Sequence, residues 1–109
     1  MAILTVQTIS LTGSVASYAA AEAAGDSFPN ANNRTFFTVV SAAGVDRTLT
    51  FNSQVNCDQG EDHDVAVVVS TGTTVRIGPF PPARFNDANG RVVVTYSSQV
   101  GLTVAAVQV

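Results

Sequence analysis

The stretch Arg34-Thr35-Phe36-Phe37-Thr38-Val39-Val40 decides the fold class, because it combines the aromatic and β-branched residues that strands favour. A second stretch, residues 47–53, alternates apolar with polar side chains, as a strand with one buried face does. The segment between them, residues 41–46, contains Gly44 and predicts a hairpin connection. These stretches therefore predict two strands of an all-β fold.

Runs of the same kind continue towards both ends of the chain. They are residues 3–11, 65–69, 74–77, 91–96 and 102–107. Residues 70–73 predict a tight turn between two of these runs, and the last two runs form a pair that turns at residues 97–101. About seven short, mostly antiparallel strands predict a single β-sandwich or jelly-roll-like barrel domain over residues 1–109.

One segment departs from this pattern. Residues 18–24 are rich in alanine and precede Gly25, a combination that favours a helix with a glycine cap. A helix this short is unstable on its own in water. The sequence leaves open whether the 17–25 region forms one helical turn or an extended connector.

The charge content is unusually low. Asp, Glu, Lys and Arg make up 12% of the residues, against about 25% in an ordinary soluble domain. The chain has no lysine, and its positive charges are Arg34, Arg47, Arg76, Arg84 and Arg91. A surface with so few charges lacks the repulsion that keeps free monomers apart. We therefore expect a protein that packs against neighbouring chains; the alternative is a secreted β domain rich in Ser and Thr.

Several function classes are disfavoured by the same inventory. The net charge is −3 and no basic stripe is present, so we expect no nucleic-acid role. The N-terminus does not have the pattern of a signal peptide, and no apolar run approaches the ~20 residues of a membrane span. We expect no membrane partner and a soluble protein that is made in a cytoplasm.

The only dense cluster of potential ligands is the acidic loop at residues 58–64, with Asp58, Glu61, Asp62 and Asp64. Such carboxylates suit Ca²⁺, but Val67 stands where an EF-hand would place its closing Glu. A solvated connector between two strands is the preferred interpretation. We therefore predict no metal and no cofactor.

Cys57 and His63 are the sole residues of their types and lie in the same stretch, residues 56–64. A Cys/His pair can form a nucleophile, yet nothing in the sequence indicates a shell that would orient these two. No G-x-S-x-G motif is present either. We predict no catalytic residues and no enzyme activity.

Two further features bear on partners. Pro79 and Pro82 have the P-x-x-P spacing of an SH3 ligand, but a rigid connection is preferred, with Phe80 as an anchor into the core or into a neighbour. The terminal strands, residues 3–11 and 102–107, carry no charge, so their edges pair either internally or with another chain. We expect contacts from the terminal strands and the Phe80 loop.

Two segments together resemble a known class of proteins. They are Gly25-Asp26-Ser27-Phe28-Pro29-Asn30 followed by residues 34–39, and residues 70–80 continuing through 85–87 and 90–96. Their order and spacing resemble the decoration or cement proteins of tailed-bacteriophage heads, encoded beside the major capsid protein. The resemblance implies a virion protein on the capsid exterior that binds the major capsid protein and cements its subunits. It also implies a homo-oligomer, with a trimer favoured, that is made in the host bacterial cytoplasm.

A binding module for carbohydrate or a cell surface, assisted by calcium at residues 58–64, is the alternative. The absence of tryptophan and the presence of only Tyr18 and Tyr96 count against it, because sugar-binding platforms use such rings.

Overall fold

The structure is a computed structural model that describes residues 2–31, 33–54 and 64–109. It confirms the all-β prediction: ten strands form two sheets that face each other across an apolar core. The elements are β1 (Ala2–Ile3), β2 (Val6–Thr8), β3 (Ala19–Ala20), β4 (Asp26–Pro29), β5 (Thr35–Ser41), β6 (Arg47–Phe51), β7 (Val65–Val69), β8 (Thr74–Ile77), α1 (Pro82–Phe85), β9 (Arg91–Tyr96) and β10 (Leu102–Gln108).

The first sheet has the strand order β1-β4-β9-β6-β7. The second has the order β2-β10-β5-β8, and β3 also pairs with β10. Six of the eight strand pairs are antiparallel, and the two parallel pairs, β1 with β4 and β10 with β2, both involve the N-terminal segment. The expectation of mostly antiparallel strands is therefore confirmed.

The core lies between the sheets and is built around aromatic rings. Alternation along β5 turns Phe37 and Val39 inwards, and both are 0% exposed. Five rings form one contiguous cluster with neighbouring centroids 4.9–5.6 Å apart: Phe28, Phe37, Phe51, Phe80 and Phe85. Burying a phenylalanine side chain stabilises a fold by ~1.5–3 kcal/mol, so this cluster is a main source of stability.

The prediction of hairpins at residues 41–46 and 97–101 is wrong. β5 pairs with β10 and β8, whereas β6 pairs with β7 and β9, so the 41–46 connection crosses from one sheet to the other. The 97–101 connection crosses in the same way, and so does the tight turn at 70–73, which is present as predicted. An alternating pattern shows that a strand has one buried face. It does not distinguish a neighbour in the same sheet from one in the facing sheet.

The three crossing connections lie together and bind one another. The amide of Ala42 donates to the carbonyl of Gly101 at 2.8 Å, and the amide of Gly72 donates to the carbonyl of Ser41 at 3.0 Å. Gly101 has a φ of +80°, and a Cβ there would lie 2.7 Å from backbone atoms of Ala43. Only glycine fits that position, because it combines a left-handed backbone with a close approach.

The N-terminal region also differs from its prediction. The single strand expected at residues 3–11 is two short strands in different sheets, with Leu4 between them turned into the core at 8% exposed. The 17–25 region forms an extended connector, not a helical turn. Ala19 and Ala20 pair with β10, and the amide of Ala21 continues the ladder to the carbonyl of Leu102 at 3.1 Å.

The C-terminal strand and the proline segment are both internal. β10 has β5 on one side and β2 with β3 on the other, so its edges are paired within the chain. Phe80 anchors into the core, where it is 3% exposed, which decides between the two places left open for this ring. The expectation that its loop contacts a neighbour stays a prediction. Pro82 begins the helical turn α1, so the P-x-x-P segment is not the extended helix that an SH3 domain binds.

Candidate functional site

The N-terminal surface, defined as residues 2–18, concentrates the exposed apolar side chains of the molecule. Nine large hydrophobic side chains are exposed in the described part of the chain, and five of them lie here. These five are Ile3, Ile9, Leu11, Val15 and Tyr18. The first charged residue of the sequence is Glu22, so this surface contains no ionised side chain of its own. Large apolar patches on soluble proteins mark interaction sites.

Residues 9–17 form an arm that leaves the second sheet after β2 and returns to it at β3. The arm is closed at its base by the side-chain amide of Gln7, whose Nε2 donates to the carbonyl of Ser17 at 2.8 Å. The amide of Ser17 in turn donates to Oε1 of Gln7 at 2.8 Å. These two bonds imitate the paired bonds between strands, so the arm has a defined base although its backbone has left the sheet.

The tip of the arm is turned by a short hydrogen-bonded loop. The amide of Gly13 donates to the carbonyl of Ser10 at 3.1 Å, and the Ser10 hydroxyl donates to the carbonyl of Gly13 at 2.6 Å. Leu11 is 104% exposed and Val15 is 95% exposed. Both side chains therefore stand almost entirely in solvent, and both are available to another protein.

The base of the arm covers part of the outer face of the second sheet. Thr38, Ala105 and Val107 alternate with core residues and so point away from the core, yet they are only 1%, 2% and 6% exposed. The Tyr18 hydroxyl lies 3.3 Å from Oγ1 of Thr38 and ties the returning chain to this face. The base of the arm is therefore held in one place against the outer face of the second sheet.

A groove of about 590 Å³ remains between the arm and the sheet. Phe36, Thr38 and Val107 line it from the sheet, Val15 and Tyr18 line it from the arm and its return, and Arg76 of β8 also borders it. A second groove of about 530 Å³ runs beside β1 and β2 along β10. Tyr18 and Gln7 line both grooves, so the two are neighbours.

The expectation that the terminal strands have uncharged, exposed edges is met only in part. Within the described residues the outer strands are β1 and β7 in the first sheet, and β2, β3 and β8 in the second. β1 and β2 carry no charge and belong to the N-terminal surface. The C-terminal strand β10 is interior and offers no edge, so the contacts expected from it are not supported.

Most of the predicted acidic loop lies outside the described residues, including Cys57 and His63. Asp64 is described, and its Oδ1 accepts a hydrogen bond from the amide of Ser53 at 2.8 Å. In residues 2–31, 33–54 and 64–109, no three His, Cys, Asp or Glu side chains are grouped so that they could hold a metal ion. No helix in those same ranges combines the length and the apolar character that crossing a bilayer requires.

A buried polar pair that the sequence did not predict joins β4 to β9. Asp26 is 0% exposed, and the Tyr96 hydroxyl donates to its Oδ2 at 2.5 Å. Burial, together with the neighbouring carboxylate, raises the pKa of Tyr96 far above its ordinary value of 10.0. The two residues are 70 positions apart, so no local pattern could reveal them. The pair holds two adjacent strands together.

Sequence reasoning also missed the arm, because residues 3–11 were assigned to one strand that included Leu11. The signal was present: four of the five residues 10–14 are turn-forming types, namely Ser10, Thr12, Gly13 and Ser14. Such a cluster ends a strand and predicts a loop.

Comparisons with known proteins add no family. No family model matches the chain, and neither the curated proteins nor the solved structures contain a match. What the chain shows about its function is therefore carried by its own surface, above all by the uncharged arm and the grooves beside it.

Proposed function

We propose that this chain is a virion structural protein, not an enzyme, which binds the outside of a phage capsid and cements neighbouring capsid subunits. The observation that carries the proposal is the N-terminal surface. It exposes Leu11 and Val15 fully and lies within a stretch of 21 residues without a charged side chain. The resemblance of residues 25–39 and 70–96 to head decoration proteins supports the same assignment.

The energetics suit a contact that forms between protein surfaces. Fully burying one leucine or valine side chain is worth ~1.5–3 kcal/mol, and no ion has to be desolvated when residues 2–18 are covered. The centres of stable interfaces are depleted in charged residues for this reason. A capsid offers many identical sites, so modest contacts add up across the shell.

The mechanism is mechanical. Each copy contacts the major capsid protein at the junction of adjacent subunits, and the summed binding energy resists the outward pressure of packaged DNA. The protein acts as a homo-oligomer on the capsid exterior, with a trimer favoured by the resemblance. Neither nucleic acid nor membrane takes part.

Co-sedimentation with expanded, empty heads tests the proposal. The cognate heads are those of the phage whose genome encodes this chain, and heads of an unrelated phage serve as the control for adsorption. We expect saturable binding to the cognate heads only. A folded protein that stays in the supernatant with cognate heads would overturn the assignment.

One observation favours the second candidate, a carbohydrate-binding module. The Tyr18 ring is 39% exposed and lines both grooves, as a ring that stacks on a sugar would. Tyr96 cannot add a second platform, because it is half-buried and bound to Asp26. A glycan array with no specific hit would eliminate this alternative.

A further inference from the structure

The groove between the arm and the second sheet has a distinct chemistry. Its lining is apolar or neutral except for Arg76, which projects from β8 beside Thr38 of β5 in the strand register. None of the described residues that line the groove carries a carboxylate. Its volume of about 590 Å³ falls within the range of ~300–1,000 Å³ that ligand-binding clefts occupy.

The charge of Arg76 is uncompensated. Its side chain is exposed, and its guanidinium makes no hydrogen bond or ion pair with any described residue. Arg47, by contrast, donates from Nε to the carbonyl of Val100 at 3.3 Å. A guanidinium offers five donors in a planar fork that fits a carboxylate, so the complementary group for this groove is an acidic side chain.

The other lining residues fit a polypeptide. Tyr18, Phe36 and Arg76 are large residues of the types that dominate protein–protein contacts, and they border one cleft. The hydrogen bond between the Tyr18 hydroxyl and Thr38 holds the ring in position before any partner arrives. A partner that enters the groove thus meets a preformed wall and loses little binding energy to ordering it.

We infer that this groove binds an extended segment of the major capsid protein and that Arg76 pairs with an aspartate or glutamate of that segment. The inference rests on the proposed function and deepens it, because it assigns the specificity of the contact to one residue. The apolar arm supplies area, and Arg76 selects the acidic segment.

Binding of three variants to expanded, empty cognate heads tests the inference. Arg76→Gln removes the charge, Arg76→Lys keeps the charge without the fork, and Arg91→Gln removes the same charge from the first sheet. Affinity is measured by quantitative sedimentation over a range of salt concentrations, and folding is checked by thermal melting. The Arg76 side chain makes no hydrogen bond or ion pair with a described residue, so its variants keep the melting temperature of the wild type.

We expect Arg76→Gln to bind about 30-fold more weakly or worse, as truncation of a buried charged pair does. The affinity of Arg76→Lys lies between that of Arg76→Gln and that of the wild type, and the affinity of Arg91→Gln equals that of the wild type. The affinity of Arg76→Gln also depends less on salt.

Each other outcome overturns a definite statement. Wild-type affinity of Arg76→Gln overturns the inference and leaves the proposed function standing. If Arg76→Gln and Arg91→Gln weaken head binding equally, the effect is one of net charge, and the inference is overturned as well. Loss of self-association in Arg76→Gln, with head binding intact, assigns the groove to a second copy of the chain instead. Absence of binding by the wild type overturns the proposed function and, with it, the inference.

Discussion

The double variant Leu11→Asn, Val15→Thr separates the contribution of the arm to folding from its contribution to binding. Both replacements keep the approximate size and shape of the side chain and make it polar. In the free protein the two side chains are 104% and 95% exposed, so the fold loses no packing. We expect the free energy of unfolding to change by no more than about 0.5 kcal/mol, as surface substitutions do.

Binding to the capsid should respond very differently. If both side chains become fully buried on the shell, each contributes ~1.5–3 kcal/mol, or ~3–6 kcal/mol together. A change of 1.4 kcal/mol is a factor of ten in affinity, so the double variant should bind about 10²- to 10⁴-fold more weakly at each site. Multivalent attachment cannot mask such a loss when binding is measured at low occupancy.

The assay is sedimentation with expanded heads at several protein concentrations, together with urea unfolding of the free protein. Val68→Thr is the matched control, since Val68 is 62% exposed but lies in β7, on the edge of the sandwich opposite to β1. Wild-type affinity in the double variant, or an equal loss in Val68→Thr, would refute the role of the arm.

Three further predictions concern the fold. Burial and the hydrogen bond to Asp26 raise the pKa of Tyr96, so above pH about 10 only the unfolded chain loses this proton and the free energy of unfolding falls by ~1.4 kcal/mol per pH unit. Urea titrations should show that Tyr96→Phe removes this slope, and an unchanged slope contradicts the pairing. Phe80→Ala should cost ~3–5 kcal/mol in urea unfolding, since its ring is 3% exposed, whereas a loss below about 1 kcal/mol would mean that the ring lies outside the core. Gly101→Ala should lower the free energy of unfolding by ~1–3 kcal/mol, because the φ of Gly101 is +80° and a Cβ there would meet the backbone of Ala43. The control Gly44→Ala has free space and should leave this free energy unchanged or raise it by up to about 1 kcal/mol; equal melting temperatures of the two variants would contradict the prediction.

The strands were predictable from the sequence, but their pairing was not. The alternation in residues 47–53 indicated a strand with one buried face, and Leu49 and Phe51 on that face are both 0% exposed, because burial of one strand face is a local property. Long-range contacts decide whether the next strand along the chain pairs in the same sheet or lies in the facing sheet. Here the 41–46 connection is held by its bond to Gly101, which is almost 60 residues away along the chain.

The surface was predictable only in its general character. The low charge content indicated a surface suited to other chains, and the absence of charge before Glu22 was visible at once. The arm depends on the bonds between Gln7 and Ser17, which are ten residues apart and form no recognisable motif. The place of Phe80 was left open between core and neighbour, since a ring between prolines is compatible with both.

Hydroxyl-radical footprinting of the protein, free and bound to expanded heads, tests most directly whether another protein covers residues 2–18. The account predicts that oxidation of Leu11, Val15 and Tyr18 falls strongly on binding, while oxidation of Val68 stays as it is in the free protein. Undiminished oxidation of Leu11 and Val15 in the head-bound protein would contradict the central claim.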